Sequence, residues 1–338
     1  MLIINSWYDD SAHEAEGHLE RPARSQAARA GVEDLQLGSD LVEAPAHLAS
    51  RSELELVHTS EYLDELEAFC RGGGGYLDAD TYAAPSSWAI AHEAAGSGLS
   101  VIRELGRRQR GVGFVAARPP GHHATADRAM GFCLFNNVAV AAAELANAGE
   151  RVLIVDWDVH HGNGTQDIFW NDPRVLYVST HQSPLYPGTG WAREVGGPDA
   201  LGLTVNVPLP PGATGDVVRR AIDEVATPVI EEFSATWVLV SAGFDAHAAD
   251  PLAQLQLTSD DFGAIARTVG EFAPAEGRLA MFLEGGYDLE ALRSSVSAAV
   301  SAILGEPLDT KGLSSGGPGM DHVRRARLER AAALDANG

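Results

Sequence analysis

Lysine is almost missing from this chain: Lys311 is the only one in 338 residues, and the other basic positions are arginine. Lysine and arginine together number 24 against 47 aspartates and glutamates, a formal net charge of -23. That deficit excludes an extended surface for nucleic-acid phosphates, which needs a basic patch. It is compatible with a cationic substrate, or with solubility alone. Cysteine is scarce as well. Cys70 and Cys133 form neither a disulfide framework nor a CxxC metal site, so a reduced, cytoplasmic setting is expected. Long apolar runs are lacking. Val138 to Ala148 is interrupted by Glu144 and Asn147, so no membrane span is expected. Met1 to Asp10 has no basic start or long apolar core, so no signal peptide is read there.

What is present is enough for a large globular core, with 45% hydrophobic and 21% charged residues. Short apolar runs begin at Leu2, Leu41, Gly113, Arg151, Val175, Leu203, Trp237 and Leu279. They end near Ser6, Pro45, Ala117, Asp156, Ser179, Val207, Ser241 and Leu283. Helical stretches separate most of them, among them one capped by Thr59, a long one from Pro85 to Leu105, one at 138–148, one from Asp216 to Phe233, and one opened by Thr258 with Asp261 three residues on. This alternation predicts βαβ units and a parallel sheet in one α/β domain. The domain is expected over 1–305, followed by a loop and charged helix at 306–338. Four glycines, Gly72 to Gly75, predict a flexible loop.

The most informative stretch is 152–164, Val-Leu-Ile-Val-Asp-Trp-Asp-Val-His-His-Gly-Asn-Gly. An apolar run that stops in Asp156, Asp158, His160 and His161 reads as a buried strand delivering ligands at its C-terminal end. Open α/β sheets bind ligands there. Asp158 and His160 stand two apart, so an extended chain points them the same way. A plain polar loop is the bland alternative, and burying so many titratable groups without a use is costly. Asp245 follows another strand. Asp158, His160 and Asp245 then offer oxygen, nitrogen and oxygen with an open position, the pattern of a catalytic zinc. Such a metal polarises a carbonyl and acidifies its water. His122 and His123 follow Pro119, Pro120 and Gly121 at a strand end and are candidates for general acid and base. Tyr287, after Gly285 and Gly286, is a candidate oxyanion donor. The set describes metal-assisted hydrolysis of an amide or ester.

These motifs resemble those of the histone deacetylase superfamily, which includes bacterial histone deacetylase-like amidohydrolases and acetylpolyamine amidohydrolases. They are Arg-Pro-Pro-Gly-His-His-Ala at 118–124, Gly-Phe-Cys at 131–133, Asp-Trp-Asp-Val-His-His-Gly-Asn-Gly at 156–164, Tyr-Pro-Gly-Thr-Gly at 186–190, Gly-Phe-Asp-Ala-His-Ala-Ala-Asp-Pro-Leu at 243–252 and Glu-Gly-Gly-Tyr at 284–287. Asn163 and Glu284 look more like the class II and bacterial branch than class I. The resemblance implies an arginase-like fold with a central, mainly parallel eight-stranded sheet. It implies zinc on Asp158, His160 and Asp245, His123 as the main general base, His122 as its electrostatic partner, and Asp156 orienting His122. Asn163 stands where class I members place an aspartate beside the second histidine. Phe132 and Tyr186 match the walls of an acyl-lysine tunnel, Gly131 its base and Leu252 its rim. A structural potassium would use Asp156 and Ser179, with backbone oxygens of Asp158, His160 and Thr180. A second monovalent ion would lie near Phe169, Asp172 and Val175.

The implied activity is deacetylation of acetylated lysine in peptides or proteins, or of acetylpolyamines; a small biosynthetic amide is the alternative. Bacterial relatives often pair, so a homo-oligomer is compatible. Two rivals are a binuclear manganese ureohydrolase on the same sheet and a non-catalytic acyl-group reader. The first needs additional bridging carboxylates, and Gly162 has no side chain to give. The second leaves intact His122, His123 and Tyr287 without a use. His13, His18 and His181 are further candidates for the mouth, and Asp250 before Pro251 reads as a turn former. Glu14, Glu16, Glu20, Asp78 and Asp80 suggest that the mouth is negative.

Overall fold

The computed structural model describes residues 1–4 and 8–337. Its strands, in chain order, are β1 (Leu2–Ile4), β2 (Leu41–Glu43), β3 (Gly75–Tyr76), β4 (Tyr82–Ala83), β5 (Val112–Val115), β6 (Val152–Asp156), β7 (Val175–Gln182), β8 (Thr204–Leu209), β9 (Trp237–Ala242) and β10 (Leu279–Leu283). Eight of them form one parallel sheet in the order β2-β1-β5-β10-β9-β6-β7-β8. Asn5 and Ser6, expected in the first strand, lie outside the described residues.

Parallel strands need crossovers, and the helices supply them. These are α1 (Ala23–Glu33), α2 (Arg51–Leu54), α3 (Ser60–Arg71), α4 (Ser87–Arg108), α5 (Asn137–Asn147), α6 (Asn163–Ile168), α7 (Gly215–Ala221), α8 (Thr227–Phe233), α9 (Ser259–Gly270), α10 (Leu289–Ile303) and α11 (Met320–Asn337). They cover both faces, so the central strands read as continuous apolar runs. Along β6, Leu153 and Val155 enter the core shared with α1, α7, α9 and α10. Val152 and Ile154 enter the opposite core, shared with α3, α4 and α5. That alternation is the period of two of a strand buried on both sides.

Four differences from the expected elements have local causes. β7 continues to Gln182 because Thr180, His181 and Gln182 stay buried and paired with β8, polar side chains notwithstanding. The helix expected from Asp216 to Phe233 is interrupted by a π-turn at Ile222–Ala226, just before Pro228, whose missing N–H breaks the regular ladder. The four-glycine loop passes into a small antiparallel ribbon, with Gly75 opposite Ala83 and Tyr76 opposite Tyr82. The short α2 escaped the sequence reading, although Ser50 and Glu53 form a reciprocal capping box at its start.

α11 runs along the edge strand β8 with Val323, Ala326 and Arg330 inward. The Arg330 guanidinium donates to the Gly202 and Thr204 carbonyls. No helix of the described residues is long and apolar enough to cross a membrane. What positions the site is adjacency: β5, β10, β9 and β6 are neighbours in the sheet. The loops leaving their C-terminal ends carry His122 and His123, Tyr287, Asp245, and Asp158 with His160.

Candidate active site and metal centre

β6 ends at Asp156, so Asp158 and His160 do not converge through strand alternation as expected. Two carboxylate-capped turns bring them together instead. Asp156 Oδ1 accepts from the Asp158 N–H at 3.1 Å, and Asp158 Oδ1 accepts from the His160 N–H at 2.8 Å. Asp245 is tied to the same loop, its Oδ1 accepting from the Val159 N–H at 2.9 Å. His160 Nδ1 then lies 3.1 Å from both Asp158 Oδ1 and Asp245 Oδ2. The three residues are buried and their ligand atoms lie within 4.8 Å of one another. Glycine makes the cradle possible. A Cβ on Gly243 would fall 2.0 Å from Asp158 Oδ2, and one on Gly285 would fall 2.0 Å from Asp245 Oδ2.

Burial and the neighbouring Asp158 push the Asp245 carboxyl up, whereas His122 and His160 outweigh burial and hold Asp158 down. Two buried carboxylates in one cluster repel each other unless a cation offsets them. The oxygen, nitrogen, oxygen donor set suits zinc, so the residues fit a divalent metal.

His122 Nδ1 is 3.0 Å from Asp156 Oδ2, and that oxygen also accepts from the Tyr177 hydroxyl at 3.1 Å. Burial opposes a charge on His122, but Asp156, Asp158 and Glu284 outweigh it and push the imidazole up to about 10. His123 goes the other way. Burial and the charges of His122 and His160 hold it well below the ordinary histidine value. Its Nδ1 is 2.8 Å from Asn163 Oδ1, while Asn163 Nδ2 donates to the His123 carbonyl at 3.4 Å. That orientation of the amide makes Nδ1–H the donor and leaves Nε2 with its lone pair. The two rings are 4.1 Å apart between centroids.

His122, His123, His160 and Tyr287 share a cavity of about 200 Å³ with Gly131, Phe132, Tyr186 and Leu252, the four residues expected to form a tunnel. Asp80 and Leu185 also line it. Tyr186 stands edge-on to His123 at 5.1 Å, and Phe132 edge-on to Tyr287 at 5.8 Å. Phe132 has a φ of 68°, costly for an aromatic residue and the kind of strain that collects at functional sites. A Cβ on Gly131 would lie 2.4 Å from the His123 ring.

Several expectations need correction. His13 bonds Ser87 and lies 3.5 Å from Glu20, and His181 bonds Ser179 and the Gly190 carbonyl, so both belong to the interior. His18 packs behind Phe132 at 4.8 Å and bonds the Asp80 carbonyl. Glu20 leaves the mouth altogether: it is buried between Arg24 and Arg118. Asp250 does cap a turn, accepting from Leu252 N–H at 3.0 Å, but its other oxygen accepts from the Tyr287 N–H at 2.7 Å. Arg24, missed in the sequence, donates to the Gly286 carbonyl at 2.6 Å and to that of Glu284, and its guanidinium lies 4.7 Å from the Tyr287 ring centre. Glu284 accepts from the Gly121 and His122 N–H groups at 2.7 and 3.1 Å, fixing the turn under the histidines.

Of the residues expected around monovalent ions, Ser179 faces Asp156 in register and its hydroxyl bonds His181 at 2.9 Å; Thr180 is buried beside it. The Asp172 carboxylate holds Arg174 at 2.6 Å. The Phe169 carbonyl accepts from Asp172 N–H, and the Asp172 carbonyl from Val175 N–H.

Residues 18–303 match the histone deacetylase domain. The chain belongs to the histone deacetylase family. A probable deacetylase of Methanothermobacter thermautotrophicus is 39% identical over 322 residues, which cover 94% of this chain and 95% of that one. The histone deacetylase-like amidohydrolase of Pseudomonas aeruginosa is 36% identical over 344 residues, covering 98% and 90%. Histone deacetylase 10, chloroplastic, of Oryza sativa subsp. japonica is 41% identical over 317 residues, covering 87% and 71%. The crystal structure of the HDA15 HD domain superposes with a TM-score of 0.86 at 35% identity, covering 99% of this chain and 98% of that one. The fold is the arginase-like deacetylase fold, and the protein is a deacetylase or amidohydrolase of this family. The family is zinc-dependent and acts on acetylated amides; Asp158, His160 and Asp245 are the candidate site for that metal.

Proposed function

We propose that the protein hydrolyses the acetyl amide of a lysine side chain or a polyamine, releasing the free amine and acetate, with zinc on Asp158, His160 and Asp245. The observation that carries this reading is the cavity itself. Its lining joins three imidazoles and a tyrosine to the aromatic pair Phe132 and Tyr186, a channel suited to an extended alkyl chain with an amide at its end. When bound, zinc polarises the acetyl carbonyl and supports attack by water. His123, neutral and with Nε2 free, takes a proton from the water and returns it to the departing amine. His122, held as imidazolium by Asp156, stabilises the negative charge that develops between them. Burial pushes the Tyr287 hydroxyl well above its ordinary value, so it stays protonated and donates to the forming oxyanion. A ureohydrolase chemistry is disfavoured, since a side chain at Gly162 would begin 2.1 Å from Asp156 Oδ2. Potassium on Asp156, Ser179 and Thr180, and a second monovalent ion near Phe169, Asp172 and Val175, would act only as structural ions. Residues 1–305 serve as the catalytic unit and 306–338 as its appendage.

The test is mass detection of amine and acetate from an acetyl-lysine peptide and from an acetylated polyamine, before and after chelation and after zinc is restored. Turnover that disappears with the chelator and returns with zinc is the expected result. No free amine from either substrate by the fully metallated protein overturns the reading.

A further inference from the structure

A second concavity, of about 310 Å³, adjoins the cavity just described and is walled by Ser183, Pro184, Trp191, Arg193, His322 and Arg325. Pro184 borders it and Leu185 borders the first cavity, so consecutive residues separate the two. Its outer wall is α11, which lies beyond the family match at 18–303. That wall is anchored, because Arg330 of α11 ties itself to the Gly202 and Thr204 carbonyls at the edge of the sheet.

The groove carries two arginines against one carboxylate in an acidic protein. In a chain with 47 acids and 24 bases, most arginines find a carboxylate. Arg29, Arg51, Arg103, Arg174, Arg219 and Arg293 all do. Arg193 and Arg325, exposed on the two sides of the groove, have none within ion-pair distance among the described residues. Arg193 instead lies 5.1 Å from the ring centre of Trp191, which is 43% exposed. Glu329 is the one carboxylate on the wall. Two unpaired guanidinium groups beside an open indole and an imidazole complement a carboxylate-bearing chain.

We infer that this groove is a specificity subsite for an acidic residue of an acetylated protein substrate, displaced along the chain from the acetyl-lysine that enters the cavity. The inference rests on the proposed deacetylase reading. A peptide leaving the mouth past Leu185 and Tyr186 crosses Pro184 and reaches Arg193 and Arg325. The Asp80 side of the mouth favours positive charge close to the lysine, and the groove favours negative charge farther along.

The experiment is a scan of acetyl-lysine peptides in which one glutamate replaces glutamine at each position about two to six residues to either side, at ~3.3 Å per extended residue. Specificity constants are measured at low and high salt. The expected result is a gain of about three- to tenfold at one side and a narrow set of positions, mainly through KM and reduced by salt. The double variant Arg193→Glu/Arg325→Glu should lose that gain and prefer lysine at the same position. Its melting temperature and its rate on a single acetyl-lysine residue, too short to reach the groove, report folding. If the double variant is misfolded, Arg325→Gln and Arg193→Gln singly should each lower the gain. A flat scan, a glutamate preference that survives charge reversal, or an acidic peptide without acetyl-lysine binding there without competing with substrate overturns the inference. Failure of the metallated wild-type protein to release amine from both an acetyl-lysine peptide and an acetylated polyamine would instead overturn the deacetylase reading.

Discussion

Asn163 Oδ1 faces His123 Nδ1 at 2.8 Å, an amide where a carboxylate would favour the charged ring. His123 therefore remains neutral under the combined effect of burial and the positive charges of His122 and His160. Asn163→Asp supplies the missing charge and raises the histidine's pKa, as an opposite charge in contact does. Because the base must be neutral to accept a proton, the acid limb of the kcat/KM profile should move to higher pH. An unchanged limb in the variant would take His123 out of the proton-transfer role.

The Tyr287 hydroxyl has no hydrogen-bond partner among the described residues, while its backbone N–H is held by Asp250. Tyr287→Phe should therefore leave the melting temperature close to wild type and lower kcat by about 10²–10³. Near-normal turnover on an acetyl-lysine peptide would separate Tyr287 from the chemistry.

The parts of this site that were legible in the sequence are those where polar residues break an apolar run. Asp156 ends an apolar strand, Asp158, His160, Asp245, Glu284 and Tyr287 follow apolar strands, and the parallel sheet gathers those strand ends. The packing that holds them was not legible. Arg24 reaches the Glu284 and Gly286 carbonyls across more than two hundred residues of chain, and nothing in its local pattern marks it. Glu20 looked like a surface acid because Arg118, which with the nearby Arg24 encloses it, is brought to it only by the fold. The spacing of Asp158 and His160 suggested the right neighbours for the wrong reason, since Asx-type turns and not strand alternation close the loop.

Gly243 and Gly285 are demanded by the ligands. A methyl group at Gly243 would stand 2.0 Å from Asp158 Oδ2 and force that carboxylate off the Gly285 N–H it accepts from at 2.7 Å. Gly243→Ala should weaken metal binding at least about tenfold, as displaced ligand orientation does. Asp245→Ala, which removes a donor outright, should lose most of the metal. Metal content after dialysis and chelator competition measure both; full wild-type affinity in each variant would remove the trio as the metal site.

His58 provides a pH test remote from the catalytic cavity. Burial lowers its pKa to about 4, against the backbone hydrogen bonds that raise it. The unfolded chain has the ordinary value near 6.5, so between the two it binds more protons than the folded one. The contribution of His58 is complete above pH ~6.5 and is lost as pH falls towards 4, up to about 3 kcal/mol. Urea unfolding of the wild type should weaken over that window more steeply than that of His58→Gln. Parallel curves for the two proteins would show that His58 is not the group titrating.

Five early acids suggested a negative mouth, yet Glu20 is buried in ion pairs and only Asp80 lines the cavity directly. Asp78 stands behind Asp80 and accepts from the Asp80 and Thr81 N–H groups at 3.1 and 2.6 Å. Those bonds outweigh burial and keep Asp78 charged, while burial and the charge of Asp78 raise Asp80. The acids that stand at the entrance are thus a small local pair, Asp78 and Asp80. Acetyl-lysine peptides with a basic residue next to the acetyl-lysine should have a higher kcat/KM than neutral or acidic ones, and acetylpolyamines should share the advantage. Asp80→Asn should shrink the difference by roughly two- to fivefold, the range of an exposed charge pair. High salt should shrink it too, since screening confines such a field to ~8–10 Å. If the rim acids only solvate the surface, matched basic, neutral and acidic neighbours will show equal specificity constants at low salt, and Asp80→Asn will change none of them.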